Sequence, residues 1–143
     1  MIKILANDGI SNLGAKLLKD NGFLVNTETV SQDELIDEIN KENYEVILVR
    51  SATKIRKDVI DSCPNLKIIG RGGVGMDNID VKYAREKNIE VINTPAASSS
   101  SVAELVFAHL FGMVRYLFMS NRQMPMEGDT NFKDLKKSFS AGT

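Results

Sequence analysis

The chain has 143 residues, which is enough for one ordinary domain and too few for two full ones. Hydrophobic residues make up 43% of the chain and charged residues 26%, a globular composition that excludes a disordered or collagen-like chain. Eighteen basic and nineteen acidic residues leave a formal net charge of -1, so the sequence has no general basic field and gives little support to a nucleic-acid partner.

The sequence also indicates a compartment. Its one cysteine, Cys63, cannot form an internal disulfide, which favours a reducing environment. No basic segment followed by a long apolar run opens the chain, so we expect no signal peptide. The longest apolar stretch, residues 102–119, is interrupted by Glu104, His109 and Arg115, which are costly in the centre of a bilayer. We therefore expect a soluble, cytoplasmic protein without a membrane partner.

The first ninety residues alternate short apolar runs with amphipathic segments. Asn21 and Gly22 mark a helix end, Ser31 and Glu34 form a capping-box pattern, and Asp80 is a candidate helix N-cap. Strands are predicted at residues 2–6, 23–25, 46–49, 66–69 and 89–92, and helices around residues 13–18, 35–39, 59–60 and 81–87.

Strands that alternate with short helices predict βαβ units and a parallel sheet. The apolar run of residues 46–49 is typical of a strand that is covered on both faces. Ligands of such sheets bind in the loops at the carboxyl ends of the strands. The loops that follow Val49, Ile69 and Ile92 are therefore the candidate binding loops.

The composition changes at Pro95, which is soon followed by four serines at residues 98–101. Four serines alone are consistent with a flexible linker, but helix-compatible residues follow at once, so we favour a helix start with Glu104 in its first turn. This predicted helix is apolar almost all round and must be buried on every face. We therefore divide the chain into a first domain, residues 1–97, and a second segment, residues 98–143.

The strongest local signal is the run from Gly70 to Gly75, which matches the G-x-G-x-x-G dinucleotide fingerprint. In that fingerprint a helix begins within the glycines and faces the pyrophosphate, whereas here Asp77 and Asp80 follow and bring negative charge. We favour a loop whose bare amides bind a small anion, with Arg71 as a charge-assisted partner. A dinucleotide loop and a glycine-rich turn without a ligand are the alternatives.

Arg50 follows a predicted buried strand, so its side chain is either salt-bridged within the fold or directed at an anion. A parallel sheet brings its loop near Arg71, which favours the anion. Two arginines and a row of backbone amides suit a small acid with two anionic groups. The third loop, residues 93–95, is as consistent with a linker turn as with a ligand contact.

The remaining reactive side chains give weaker signals. His109 is the only histidine, and no carboxylate or serine has a spacing that would orient it, so a packed side chain is favoured over a general base. Cys63 precedes a proline at a helix end and is interpreted as structural. No group of cysteines and histidines has metal-ligand spacing, so we expect no metal site.

Four segments together resemble a known family. They are Val-Arg-Ser-Ala-Thr-Lys at residues 49–54, Ile-Gly-Arg-Gly-Gly-Val-Gly-Met-Asp-Asn-Ile-Asp at residues 69–80, Asn-Thr-Pro at residues 93–95 and Val-Ala-Glu-Leu at residues 102–105. In this order and spacing they resemble the D-isomer-specific 2-hydroxy acid dehydrogenases over nearly the whole chain. The resemblance is strongest to the members that oxidise D-3-phosphoglycerate with NAD to 3-phosphohydroxypyruvate, at the entry to serine biosynthesis.

The resemblance implies a fold and a site. It makes residues 1–97 a substrate-binding domain with a flavodoxin-like sheet, and it makes the apolar helix the crossing element into a Rossmann nucleotide-binding domain. The two arginines would contact the phosphate or carboxylate of a small anionic 2-hydroxy acid. The substrate-binding residues that the resemblance implies are Arg50, Ser51, Arg71, Gly73, Val74 and Gly75, and those implied to lie against the nicotinamide end of NAD are Val74 and Val102.

The sequence departs from the family pattern after the apolar helix. The resemblance implies that the cofactor fingerprint and the catalytic arginine, glutamate and histidine lie downstream of Thr143. We therefore expect a truncated Rossmann domain and no catalytic residue or activity in this chain alone. The favoured hypothesis is the front part of an oxidoreductase that forms a homodimer through the apolar helix and the nucleotide domain. The alternative is a stand-alone, non-catalytic module that binds a small phosphorylated or carboxylic acid, or a partner protein.

Overall fold

The computed structural model describes residues 1–123 of the chain. Strands and helices alternate up to residue 114, which confirms the predicted α/β class. The strands are β1 (Lys3–Ala6), β2 (Leu24–Asn26), β3 (Val46–Val49), β4 (Ile68–Arg71) and β5 (Glu90–Asn93), and the helices are α1 (Asn12–Asp20), α2 (Leu35–Glu42), α3 (Lys57–Ser62), α4 (Val81–Glu86), α5 (Ser99–Val114) and α6 (Leu117–Gln123).

All five strands form one parallel sheet in the order β2-β1-β3-β4-β5, which is the flavodoxin-like order. Leu5 pairs with Ile47, Ile47 with Ile69, and Ile69 with Val91, so one row of side chains crosses four strands. The order of the strands reverses between β1 and β3. The carboxyl ends of these two strands therefore flank the switch point at which open α/β sheets bind their ligands.

One face of the sheet forms the hydrophobic core together with α2, α3 and α4. The side chains of Leu5, Ile47 and Ile69 are completely buried beneath these helices. Burial of this kind is the main favourable contribution to folding and gives the loops at the strand ends a rigid base. The helical and loop residues of the cluster include Leu35, Ile39, Ile55, Val59, Ile60, Ile79 and Ala84.

Two residue pairs or residues that were predicted to cap a helix do not cap that helix with their side chains. The Ser31 hydroxyl donates to the Glu34 carboxylate at 2.8 Å, and α2 begins only after Glu34, without a side-chain cap, so the capping-box prediction was wrong. Asp80 does precede α4, but its carboxylate accepts hydrogen bonds from the Lys57 amide at 3.1 Å and from Arg56 Nη1 at 2.9 Å. Asp80 therefore caps the neighbouring helix α3.

Strand β4 begins two residues later than the sequence predicted. Leu66 lies in a turn in which its amide bonds the Cys63 carbonyl at 3.1 Å, so it does not join the sheet. At the other end, Gly70 pairs with Leu48 and Ile92, and Arg71 pairs with Val49 and Asn93. The shift makes Arg71 part of the strand, which fixes its backbone.

The chain divides into two compact units, Met1–Ala97 and the residues from Ser98 onward. In the second unit, the single helix that was predicted is two helices, because Tyr116 takes a left-handed backbone conformation (φ 52°) that ends α5. None of the residues of α5 is buried within this structure. No helix among residues 1–123 is both long enough and apolar enough to span a membrane. The rest of the predicted second segment, residues 124–143, lies outside the described residues.

Candidate functional site

A cleft of about 680 Å³ lies at the carboxyl ends of the strands in the first unit. Its lining comes from strand ends and the loops that follow them, in four segments at residues 8–11, 48–50, 70–72 and 92–94. Three of these are the binding loops that the sequence predicted, and the fourth follows β1 at the switch point. A cleft of this size is sufficient for a small organic ligand.

Arg50 is exposed at the end of β3 and lines the cleft. Among residues 1–123, no hydrogen bond or ion pair involves its guanidinium group. Its backbone amide, in contrast, donates to Asp8 Oδ2 at 2.6 Å. The described residues thus hold the backbone of Arg50 and leave its charged group available to an anion, which favours the ligand interpretation over an internal salt bridge.

Arg71 closes β4 and also lines the cleft. Its Nε donates a hydrogen bond to Asn78 Oδ1 at 3.1 Å. A Cβ atom added at Gly73 would overlap Nη1 of Arg71 and would lie 3.2 Å from its Cζ, so the guanidinium group lies directly against the Gly73 backbone. The side chain is held at both its Nε and its guanidinium plane.

The glycine loop is braced at one end and open at the other. The Gly72 amide donates to the Val49 carbonyl at 2.9 Å, and the Gly73 amide donates to Thr94 Oγ1 at 2.9 Å. Within residues 1–123 the amides of Val74 and Gly75 donate to no acceptor. Two consecutive free amides beside an arginine form an arrangement that suits a carboxylate or phosphate oxygen.

No helix begins within the glycines, because α4 starts only at Val81. A dinucleotide fingerprint needs a helix N-terminus directed at the pyrophosphate. The loop therefore lacks the geometry of a dinucleotide site despite the match in sequence. The third loop has a bracing role, since Asn93 Nδ2 donates to the Val74 carbonyl at 2.8 Å and the Thr94 amide donates to the Gly73 carbonyl at 3.1 Å.

Two polar side chains that the sequence analysis did not select connect the binding loops. Asp8 accepts hydrogen bonds from the Arg50 amide and from the Thr53 amide (3.1 Å) and hydroxyl. Asn78 donates to the carbonyls of Arg50 (2.8 Å) and Thr53 (2.7 Å) while it accepts from Arg71. The position of Asp8 directly after the first strand was the available signal, and its relevance depends on the strand order.

The ionisation of Asp8 is set by this network. Partial burial opposes ionisation, but hydrogen bonds from the Thr53 hydroxyl and from the amides of Arg50 and Thr53 outweigh it and lower the pKa of Asp8 below its ordinary value of 3.8. Asp8 is therefore an ionised carboxylate at neutral pH, and loop donors occupy its oxygens. Its charge holds the Arg50 loop in place.

The predicted site residues fall into three groups. Arg50 and Arg71 line the cleft together. Ser51, Gly73, Val74 and Gly75 belong to the same two loops but lie outside the lining, and Val74 is half exposed. Val102 and His109 belong to α5, in the second unit.

Outside the cleft, the described residues offer neither a reactive thiol at neutral pH nor a metal-binding group. Burial, with a contribution from Asp58, raises the pKa of the Cys63 thiol to about 11, so the thiol is unreactive at neutral pH. Among the residues that the structure describes, no group of three or more His, Cys, Asp or Glu side chains is arranged to hold a metal ion.

Fold and cleft together define a parallel α/β domain with an arginine-lined cleft at the carboxyl ends of its strands. The sequence profile of the family described as D-isomer specific 2-hydroxyacid dehydrogenase, catalytic domain, matches residues 4–140. The chain therefore belongs to the D-isomer-specific 2-hydroxyacid dehydrogenase family, as the motifs predicted.

Curated relatives carry two enzyme names. The chain is 43% identical over 115 residues to D-3-phosphoglycerate dehydrogenase of Methanocaldococcus jannaschii, which covers 80% of this chain and 22% of that protein. It is 40% identical over 135 residues to hydroxypyruvate reductase of Thermotoga maritima, which covers 94% of this chain and 43% of that protein. The chain thus spans less than half the length of the curated relatives that it matches.

Solved structures have the same fold. A protein from Thermus thermophilus aligns with a TM-score of 0.75 over 92% of this chain and 44% of its own, at 20% identity. The NAD⁺-bound 3-phosphoglycerate dehydrogenase of Entamoeba histolytica aligns with a TM-score of 0.63 at 27% identity, over 80% of this chain and 39% of that chain. Of the proteins named here, two are phosphoglycerate dehydrogenases and one is a hydroxypyruvate reductase.

Proposed function

We propose that this chain supplies the anion-binding half of the substrate site of an NAD-dependent oxidoreductase that converts D-3-phosphoglycerate to 3-phosphohydroxypyruvate, the entry to serine biosynthesis. The observation that carries the proposal is the pair of arginines that line one cleft, with two free backbone amides in the glycine loop that follows Arg71. The phosphoglycerate dehydrogenase relatives, at 37–43% identity, support this substrate.

Each group has a role in this proposal. Arg50 and Arg71 bind the phosphate and carboxylate, because guanidinium groups match the planar geometry of such oxyanions. The amides of Val74 and Gly75 bind a further carboxylate oxygen, and Gly73 gives the loop its shape. Ser51 contributes a hydroxyl beside Arg50. The substrate is thereby oriented by its charged ends, which leaves the carbon that is oxidised free to face the catalytic groups.

The cofactor is bound mainly by other parts of the protein. The glycine loop has no helix N-terminus behind it, so the described residues do not form a site for the NAD pyrophosphate. In this proposal Val74 and Val102 supply apolar contacts to the nicotinamide end. We assign no catalytic residue within residues 1–123. His109 lies within α5 among exposed, apolar side chains, and no carboxylate among the described residues orients it.

The second unit supports a proposal about assembly. Apolar side chains of α5 are exposed, and the rings of Phe107 and Phe111 stack with centroids 6.2 Å apart. We propose that this helix contributes to a homodimer, since a contiguous apolar patch favours association. Sedimentation equilibrium should give a dimer whose dissociation constant rises in Phe111→Glu. A monomer at all concentrations would contradict the proposal.

Substrate binding is tested directly on this chain. Titration of ¹⁵N-labelled protein with 3-phosphoglycerate should shift the amide signals of Val74 and Gly75. Arg50→Ala and Arg71→Ala should each weaken binding by about 2 kcal/mol, or about thirtyfold in Kd, because each removes a charge-assisted interaction. Arg85→Ala, in α4, is the matched control and should bind as the wild type does. Equal affinity in all three variants would show that Arg50 and Arg71 do not bind the substrate.

The non-catalytic alternative predicts the same binding but a different polypeptide. The intact mass of the protein isolated from its own cell distinguishes the two. A mass of 15.8 kDa would favour the binding module, and a mass at least twice as large would favour the dehydrogenase.

A further inference from the structure

The side chain of Asn78 joins the backbone of one cleft arginine to the side chain of the other. Its Nδ2 donates to the Arg50 carbonyl at 2.8 Å and to the Thr53 carbonyl at 2.7 Å. Its Oδ1 accepts the Nε–H of Arg71 at 3.1 Å. All three hydrogen-bonding atoms of this amide, two N–H groups and one oxygen, are therefore used within the two binding loops.

Asn78 is itself held firmly. It is buried, and its carbonyl accepts a hydrogen bond from the Ile55 amide at 2.9 Å. A β-bridge between Ile55 and Ile79 continues this attachment, and the Asp80 amide donates to the Ile55 carbonyl at 3.0 Å. Because its backbone is fixed to the segment that follows Arg50, Asn78 fixes the loop of Arg50 relative to the side chain of Arg71.

The two arginines differ in how they are held. Asn78 acts on the Arg71 guanidinium directly, whereas it acts on Arg50 only through the backbone, together with Asp8 on the other side of the loop. A ligand with two anionic groups needs both arginines at a fixed separation. A ligand with one anionic group needs only one of them. The geometry of Asn78 therefore affects whether the site prefers ligands with two anionic groups to ligands with one.

We propose that Asn78 is a positioning residue that determines the preference of this site for acids with two anionic groups. The proposal rests on the proposed function of the cleft. Asn78 makes no contact with the ligand in this role. It reduces the freedom of the two arginines before the ligand binds, and the gain is largest for a ligand that engages both.

Affinity for two ligands tests the proposal. Wild-type protein should bind 3-phosphoglycerate more tightly than D-glycerate, which lacks the phosphate. Asn78→Ala should raise the Kd for 3-phosphoglycerate about tenfold while it changes the Kd for D-glycerate by about twofold, because only the first ligand depends on both arginines. In the Arg50→Ala/Arg71→Ala background, Asn78→Ala should have no further effect on either Kd.

Asn26→Ala is the matched control. Asn26 is half-buried, whereas Asn78 is buried, but it too uses its side-chain amide in hydrogen bonds: it donates to the Tyr44 hydroxyl and accepts from the Glu28 amide, both at 2.9 Å, and it lies outside the cleft lining. Its removal should affect stability and leave both Kd values unchanged. If Asn78 had a purely structural role, Asn78→Ala would raise the Kd values of both ligands by the same factor or would change neither. Either result would overturn the proposal.

A measurement without ligand separates this inference from the proposed function. Hydrogen exchange of the Arg71 Nε–H should be slow in the wild type, faster in Asn78→Ala, and still slow in Asn78→Asp, which keeps the acceptor oxygen. If the alanine variant does not fold, Asn78→Asp serves in the binding assay, because it loses both hydrogen bonds that Asn78 donates and should therefore raise the Kd for 3-phosphoglycerate more than the Kd for D-glycerate. Unchanged exchange in Asn78→Ala would refute the inference. Slow exchange with no binding of 3-phosphoglycerate to the wild type would instead refute the proposed function.

Discussion

Replacement of Gly73 by alanine tests how the glycine loop orients Arg71. Gly73 has φ +154°, a conformation that residues with a Cβ atom rarely adopt. A Cβ atom there would also overlap Nη1 of Arg71 and lie 3.2 Å from Cζ. Ordinary contacts between such atoms are about 3.5–4.0 Å, so the guanidinium group must move by roughly 1 Å.

The magnitudes of the two effects of Gly73→Ala differ. The overlap involves the flexible end of a side chain, so the cost to folding comes mainly from the backbone conformation, at about 1–3 kcal/mol. Displacement of the guanidinium by roughly 1 Å removes a charge-assisted hydrogen bond to the ligand, at about 1.5–3 kcal/mol. We therefore expect the Kd for 3-phosphoglycerate to rise by about tenfold to a hundredfold.

Isothermal titration calorimetry and urea denaturation measure these effects separately. Gly72→Ala is the control within the loop, because a Cβ there would lie 3.6 Å from Arg50 Cγ, an ordinary contact. Gly22→Ala is the control for backbone strain, because Gly22 has φ +85° with no atom within 4 Å of an added Cβ. It should lose stability without loss of affinity. If Gly73→Ala binds 3-phosphoglycerate as tightly as Gly72→Ala does, the proposed orientation of Arg71 is wrong.

Three further predictions concern stability and reactivity. Ile47→Ala should lower the free energy of unfolding by about 2–5 kcal/mol in urea denaturation, because Ile47 is completely buried. Ile92→Ala should lower it by only about 1 kcal/mol, because Ile92 is 48% exposed, and equal losses would contradict this difference. Because the pKa of Asp8 is lowered in the fold, its ionised form adds stability above pH 3.8, and this stability is lost as pH falls through the folded-state pKa. Thermal melts of Asp8→Asn at decreasing pH should therefore lack this loss. Parallel acid profiles of the wild type and the variant would refute this role of Asp8. The pKa of the Cys63 thiol is about 11 in the fold, against an ordinary value of 9.0. The thiol should therefore react with a disulfide reagent at pH 8 only after unfolding, and rapid reaction of the native protein would contradict its burial. The free energy of unfolding should also fall as pH rises from 9 to 11.

Local sequence patterns predicted most of the secondary structure. The run of residues 46–49 became β3 with the same limits, and α1 ends at Asp20, before the predicted stop at Asn21. Such patterns succeed because the burial period of a helix or strand is a property of neighbouring residues. One error occurred where a distant partner competes, since Asp80 caps α3 rather than α4. The end of α5 at Tyr116 had no glycine or asparagine to signal it.

The candidate site was predicted in part, and for a similar reason. Arg50 and Arg71 could be selected because each follows or ends a strand of a parallel sheet, and a charged residue there points to a ligand. Asp8 and Asn78 could not be selected from local patterns. Each resembles an ordinary turn residue, and its partners are 42 and 28 residues away in the chain.

By itself, the sequence determined the class of the sheet, the position of the loops and the identity of the two arginines, because periodicity and motif spacing are written along the chain. The family resemblance already implied a flavodoxin-like sheet, in which β1 and β3 are neighbours. Only the tertiary structure decided that Asp8 meets the Arg50 loop and that Asn78 reaches both arginines. Strand order is set by packing of the whole sheet against its helices rather than by any one segment. The contacts that position the charges depend on that order.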